Sequence, residues 1–497
     1  MALIGLINLA GVLRWHYDEG ITHPNNFENL DTRTIVARLE QPHSVWRWFT
    51  GDWVLGNGFY RPLPSLLYKL DYTLWGRDFL AYKWTNGVLA LLCGWLVVGL
   101  AWQLSGRLRL ALGTGAIFSL WQTGFLPGVP EWLSWVWLAG SVAWGWCLGD
   151  WRKGVVVGAL GATALWELGF IPSLPDLHME SFAYRAVGWI PGRTATLMTF
   201  FALMSLIAFC RYALTRHIGW AILSLLGLLG ALGSHEGAVI LPLLMALCAV
   251  VLKRRGAMFP AWLLAVSFAI LLAYVAFYQH AIPIDTEYHR QRLKRFSTMG
   301  LTWLKWLFPP AVPMRDQLLL LVDAPLAVFL PGFWESALRV GSYGLALAWL
   351  LRQERLMAVG WLGSLIAYMP LSPVLPLMHY YYLPAAFRAF LIACLLSGLV
   401  RVAHRFSQAL VACPPEPAIK ERRHQQHHQE RRGLDADLRG ERLHRHDHDQ
   451  RRHFENRRRR LHLQRRLQQY LRAHGQRRSN PGTQPLGLWP RCRQPKS

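Results

Sequence analysis

Two carboxylates, Asp18 and Glu19, stand side by side just after the first apolar run of the chain, in the stretch RWHYDEGITHPNNFENLD (14–31). At the edge of a bilayer a positioned carboxylate can take the proton of an attacking hydroxyl, which contributes about 10²–10⁴-fold to a rate. Four later stretches bring further groups. FYRPLPSLLYKLDYTLWG (59–76) carries Arg61, and HMESFAYRAVGWIPGRTATL (178–197) carries His178, Glu180 and Arg193. GSHEGAVILPLL (233–244) carries His235 and Glu236, and MHYYYLP (378–384) carries His379, Tyr380 and Tyr382. Arg61 and Arg193 bring guanidinium groups, which can meet an anion with two parallel hydrogen bonds. His235, His379 and the basic run YHRQRLKR, with Arg290, follow. Each residue also has an ordinary reading. The acids can cap a helix, an arginine can anchor at the interface, and tyrosines there form an aromatic belt. Their gathering on one face is what points to a site.

The elements that place them there are apolar. Of 497 residues 53% are hydrophobic and 16% charged, with 25 Trp, a balance that excludes an ordinary soluble enzyme of this length. Apolar runs longer than those of a soluble core recur along the first four-fifths, so the fold class expected is an all-α polytopic membrane protein. Twelve spans are expected: 1–14, 84–104, 109–126, 131–149, 153–171, 190–210, 217–233, 237–252, 259–279, 335–351, 356–370 and 381–400. Basic residues occupy every second connection, in SGRLR, DWRKG, RYALTRH, KRRG, RQER and RVAHR. These six connections belong inside by the positive-inside rule. The intervening ones lie outside, including two long loops, 15–83 and 280–334, so the acidic pair faces outward. The start MALIGLINLAGVL lacks a basic lead and a small-residue cleavage site and reads as a span. Cys93, Cys147, Cys210, Cys248 and Cys394 fall within apolar runs, where a thiol behaves as a small hydrophobe.

Two regions follow: a membrane domain over 1–410 and a basic tail over 411–497. From 414 onward the chain carries 22 Lys+Arg against 9 Asp+Glu and holds nine of the 19 His, with no Val or Met. Such a run reads as a solvated cytoplasmic tail or as out-of-frame sequence. The near absence of interleaved aromatics argues against nucleic acid as a partner.

In their order these segments resemble the multi-spanning GT-C glycosyltransferases, and most closely the membrane part of the protein O-mannosyltransferase-like proteins that often carry tetratricopeptide repeats. The acidic pair after the first helix, the aromatic-Arg-Pro-Leu stretch at 60–63, and YKWTNGVLALL (82–92) are similar to segments of that group. ESFAYRAVGWIPGRTATL resembles its E-x-x-x-W-I-x-G-R segment with Arg193 in register, although Arg185 stands where Glu is expected and Glu180 lies upstream. GSHEGAVILPLL resembles its S-K-E turn with His235 in place of Lys, and HYYYLP its R-Y-x-Y-L-P with His379 in place of Arg. The resemblance implies an inverting hexosyltransferase that moves a sugar from a polyprenyl-phosphate to an acceptor protein or envelope glycan outside the membrane. Asp18 would then be the base, Glu19 its orienting partner, and Arg61, Arg193, His235 and His379 the phosphate-binding groups. His178, Glu180, Glu236, Tyr380, Tyr382 and Arg290 complete the candidate set. It names no certain cofactor, admits a divalent cation without naming its ligands, and places the chain with membrane lipids in a bacterial inner membrane. Two other classes remain open: a transporter or flippase of lipid-linked sugars, which expects charges at mid-membrane, and a non-catalytic assembly subunit.

The orientation is directly testable. Single cysteines introduced at Asn57 and Arg352 should be labelled by an impermeant reagent from opposite sides of the membrane. Labelling of both from one side reverses the expectation.

Overall fold

The computed structural model describes residues 1–22, 30–42, 44–126, 128–174, 182–253, 255–282, 299–353, 356–373 and 377–412. Among them every regular element is helical. The chain divides into two compact units, Met1–Gln408 and Ala409–Ser497. The tail expected over 411–497 lies, beyond residue 412, outside the described residues.

In the first unit α1 (Ala2–Thr22) and α2 (Leu30–Glu40) are followed by a one-turn helix and α3 (Pro62–Trp75). A continuous series of long helices comes next: α4 (Phe79–Ser105), α5 (Leu108–Gln122), α6 (Glu131–Cys147) and α7 (Trp151–Phe170). After a π-helical turn (Tyr184–Gly188) come α8 (Arg193–Thr215), α9 (Ile218–Leu232), α10 (Leu241–Lys253) and α11 (Ala261–Ala281). The shorter α12 (Met299–Leu307) and α13 (Ala311–Asp323) lead to α14 (Pro331–Gln353), α15 (Met357–Tyr368) and α16 (Tyr382–Ala412). Each of the twelve apolar segments read from the sequence is thus a helix. Among the described residues six stretches are long and apolar enough to cross a membrane: Phe79–Ser105, Trp151–Phe170, Ile190–Thr215, Glu236–Lys253, Ala261–Ala281 and Met378–Arg405. The protein is an all-α integral membrane protein. Helices α5, α6, α9 and α15, of 15, 17, 15 and 12 residues, fall short of the ~20 a span needs.

Two expectations about loops are corrected. The first helix does not stop at residue 14 but runs to Thr22, because no proline or glycine interrupts 12–19. Asp18 and Glu19 therefore sit on its last turns rather than in a loop. The segments 15–83 and 280–334 are also not extended loops, since they contain α2 and α3, and α12 and α13.

Small residues let the helices approach closely. In lipid no hydrophobic force drives helices together, so packing and hydrogen bonds must do so. A side chain added at Gly87 would meet Val12, and one at Gly94 would meet Asn8, which sets α1 antiparallel to α4. At Gly94 the space is taken by polar groups: Asn8 donates to Ser119 Oγ (2.9 Å), and Gln122 donates to Asn8 Oδ1 and to Ala90 O (3.1 Å). The α6–α7 hairpin is tighter still, with an added Cβ at Gly145 only 2.6 Å from the Gly154 Cα. Pairings of this kind bring the six basic connections to one end of the bundle, here the lower. There Arg255 donates to Gln103 O and Leu104 O (3.0 and 2.7 Å), and Met258 N donates to Ala213 O (3.1 Å).

Gly360 illustrates the demand. A Cβ there would lie 2.6 Å from the Leu391 backbone nitrogen, whereas at Gly341 it would meet nothing within 4 Å. Gly360→Ala should lower stability by about 1–3 kcal/mol through overpacking. Gly341→Ala, on an open face of α14, should be neutral or slightly stabilising. Thermal melts of both variants in detergent check the difference.

Candidate active site

At the upper end, opposite the basic connections, Arg193 opens α8 and is wholly buried. Its Nη1 lies 2.6 Å from Asp71 Oδ2, its Nε donates to Asn86 Oδ1 (2.7 Å) and its Nη2 donates to Tyr82 O (2.8 Å). The guanidinium also lies 4.7 Å from the centre of the Tyr68 ring. Asn86 in turn donates to Val187 O and Trp189 O, both at 3.2 Å, and Thr85 donates to Asp71 Oδ1 (2.9 Å). Tyr68 donates to Ile190 O (3.1 Å). Burial raises its phenol above the ordinary range against the opposing pull of Arg193, so it remains a donor. The arginine expected at the leaving group is instead the keystone joining α3, α4 and α8. This is a correction: an arginine fully engaged by a carboxylate, an amide and a carbonyl has no edge left for phosphate.

Arg61 is differently placed. Its Nη2 meets both carboxylate oxygens of Glu236 at 2.8 Å and its Nε donates to Oε2 at 3.1 Å. Its guanidinium lies 4.3 Å from the Phe59 ring centre and 5.0 Å from that of Trp53. The loop that presents it is organised by two short polar side chains. Asp52 accepts from Trp53 N, Gly58 N and Phe59 N (2.8, 2.7 and 3.0 Å). Ser65 donates to Arg61 O and accepts from Val54 N (2.9 and 3.1 Å). Leu63 N donates to Gly233 O (3.1 Å) and so ties this loop to the turn carrying His235 and Glu236. The pair keeps some access, since the Glu236 side chain is 15% exposed.

His235 caps that turn. Gly237 N donates to its Nδ1 at 3.0 Å, so Nδ1 carries a lone pair and the ring is the neutral Nε2–H tautomer. The 3.8 Å approach of Nδ1 to Glu236 is accordingly not an ion pair, and His235 offers a hydrogen-bond donor rather than a cation. His379 is buried, its ring 5.0 Å from Trp189 and 4.2 Å from Tyr380, and Tyr380 stands edge-on to His235 at 5.7 Å. Its Nδ1 has no hydrogen-bond partner among the described residues. Arg185, 4.4 Å above the Trp189 ring, together with Arg61, Glu236 and His235, lies close enough for its field to reach His379. The structure thus gathers Arg61, His235, Glu236, His379 and Tyr380 into one cluster and adds Arg185 and Trp189.

Other expected residues fall elsewhere. Tyr382 is a core residue: its hydroxyl donates to Gln122 Oε1, and its ring stacks on Phe182 at 6.0 Å. This corrects its place among the candidates. His178, Glu180 and Arg290 lie outside the described residues. Asp18 and Glu19 are on the helix, and the described side chains of α1 end at Arg14. Register with α4, set by Val12 against Gly87, places their backbone level with the first turns of α4, and α1 also packs against the π-helical turn bearing Arg185. Among the described residues no three His, Cys, Asp or Glu converge as metal ligands.

A third buried ion pair went unnoticed in the sequence. Arg388 Nε lies 2.5 Å from Glu167 Oε2, Tyr343 donates to Glu167 Oε1 (2.5 Å), and Arg388 donates to Trp306 O (2.6 Å). Its signal was available, as single charges inside the apolar runs ALWELGF and AAFRAFL.

Beside the Arg61–Glu236 pair an apolar groove of about 540 Å³ opens between α9 and α11, lined by Tyr60, Leu63, Leu229, Ile270, Tyr274 and Phe277 among others. The Tyr274 hydroxyl has no hydrogen-bond partner among the described residues and lies within electrostatic reach of Glu236 and Arg61. No family model, curated protein or solved structure matches the chain. Its class, an integral membrane protein of packed helices with its distinctive charges at one end, therefore rests on its own residues.

The keystone reading makes a quantitative demand. Asp71→Asn strands a buried guanidinium and should cost about 3–5 kcal/mol. Asp71→Asn combined with Arg193→Met should cost clearly less than the two single changes added together. Unfolding of the four proteins in mixed micelles gives the coupling, and strict additivity would show that the pair does not interact.

Proposed function

We propose that the protein is a GT-C-like inverting glycosyltransferase that uses a polyprenyl-phosphate-linked sugar, with its twelve helical segments crossing the membrane and the upper end facing out. One observation carries this reading: a lateral apolar groove runs directly up to a cluster of Arg, His and Glu at one end of the bundle. A lipid that carries an anionic head needs both halves together.

In this scheme the prenyl chain lies against α9 and α11, and its phosphate stands near Arg61. That guanidinium exchanges part of its contact with Glu236 for the phosphate oxygens. The acceptor hydroxyl attacks the anomeric carbon as the bond from that carbon to the phosphate oxygen breaks. The bonding pair leaves on the phosphate and the hydroxyl proton passes to Asp18, with Glu19 orienting the acceptor. His235 Nε2–H and the Tyr274 hydroxyl are neutral donors suited to the growing phosphate charge, and donors aimed at developing charge supply much of such a rate. Arg193 acts by holding α3, α4 and α8 in place. One observation favours a second reading, a non-catalytic assembly subunit: the arginine in register with the family's segment is fully occupied by Asp71 and Asn86.

Transfer of labelled sugar from a polyprenyl-phosphate donor in membranes separates the two readings. Asp18→Asn should reduce transfer at least about a hundredfold, roughly 3 kcal/mol of barrier, with donor binding retained. Glu19→Gln should be milder. Arg61→Ala should weaken donor binding as well as turnover, because the contact is made in both ground and transition states. Wild-type transfer by both acid variants, at normal expression, would sink the catalytic role of the pair. Absence of transfer by the wild type across donors would support the assembly subunit.

A further inference from the structure

At the lower end of the bundle, far along the helices from the charged cluster, a second cavity of about 800 Å³ opens toward the lipid. Its size lies within the roughly 300–1,000 Å³ of small-molecule sites. Its walls are apolar, from Leu247, Val250 and Val251 on α10 and from Leu351 and Leu362 on α14 and α15. Val250 and Leu351 are among the exposed large hydrophobics of the chain. Its rim is polar and positive, formed by Ser105, Arg107 and Arg255.

Arg255 is held in a particular attitude. Its Nη1 donates to Gln103 O and Leu104 O at the C-terminal end of α4. The Nε–H and Nη2–H edge, the one that meets a phosphate in two-pronged fashion, makes no hydrogen bond among the described residues, and no described carboxylate pairs with it. Gly106, which ends α4 at φ +67°, leaves the room this requires, since a Cβ there would lie 2.6 Å from Nη2. An exposed guanidinium anchored through Nη1, a second arginine beside it and apolar walls together describe a receptor for one class of molecule.

We propose that this cavity seats an anionic phospholipid, its phosphodiester on the Arg255 fork and Arg107 and an acyl chain along α10. Charge complementarity argues for the occupant. The basic connections gather at this end, and basic pockets between transmembrane helices take anionic head groups. The inference is independent of the glycosyltransferase reading, because it uses neither the upper cluster nor any transfer step.

The full-length protein in neutral detergent, offered dioleoylphosphatidylglycerol and dioleoylphosphatidylcholine in equal amounts, provides the test by native mass spectrometry. The anionic lipid should be retained with a preference of roughly thirtyfold, about what two interfacial arginines supply. The variants R255Q and R107Q/R255Q should lose that preference. R255K, which keeps the charge but not the fork, should keep only part of it. Leu247→Trp fills the cavity while leaving both charges, and it should abolish retention even if the arginine variants do not accumulate. Excess inorganic phosphate should not displace the lipid, and displacement would show that the site reads a free anion instead. Equal retention of the two lipids by the wild type, or a preference unchanged in R107Q/R255Q and Leu247→Trp, would overturn the proposal.

Discussion

A guanidinium with no exposed surface has to find an acceptor in every direction, and Arg193 finds them on two helices other than its own. Asp71 comes from α3, Asn86 and the Tyr82 carbonyl from α4, and the arginine itself begins α8. Because lipid supplies no hydrophobic drive between helices, this charged junction does for the upper end what a core does for a soluble domain. The carbonyls that accept from Asn86, at residues 187 and 189, extend it into the π-helical turn. Residues 184–193 are thereby fixed beside α1, α4 and the turn that carries His379. The part of the proposed site that comes from residues 184–193 is positioned by this one junction.

Two other pairs repeat the device, one as deeply buried and one more exposed. Glu167–Arg388 joins α7 to α16 and takes Tyr343 of α14 as a third member. Arg61–Glu236 joins the loop before α3 to the turn before α10. The first two pairs are closed, their members buried on all sides, whereas the third borders a groove and retains partial access. Pairs of this kind are costly to break and contribute little net stability when intact. Their contribution is to fix which helices meet. The same residue types, acids and arginines at one membrane face, thus divide into structural and available groups according to how many acceptors surround each.

That division could not be read from the sequence. Hydropathy located all twelve apolar segments, since length and composition suffice for that, and the alternation of basic connections matches the gathering of Arg255, Gln103 and Met258 at one end. Composition did not reveal that the helix of Asp18 and Glu19 continues to Thr22, because spans were delimited by apolarity and helices are not. Nor could spacing distinguish Arg193 from Arg61. Both stand in aromatic- and proline-rich stretches, and only the long-range partners, Asp71 for one and Glu236 for the other, assign their roles. Tyr382 failed for the opposite reason. Three consecutive tyrosines looked alike, but the turn that precedes α16 directs the third into the Gln122–Asn8 network.

Helix α11 has buried residues only in its first third, at Leu263, Leu264 and Ser267. Near its lower end Trp262 donates to the Tyr212 hydroxyl (2.6 Å), and near its upper end Tyr278 donates to Gly58 O (3.0 Å). Between these clasps its flank toward α9 is loosely filled by the groove. A wall fastened near both ends and bordered by a groove between them is fixed by a few polar clasps rather than by continuous burial. Under the proposed function, molecules that share a head and differ in the girth or unsaturation of their tails would meet the same polar clasps at its ends. Selectivity in such an arrangement resides in the few polar atoms at the mouth, and the long apolar remainder is tolerated.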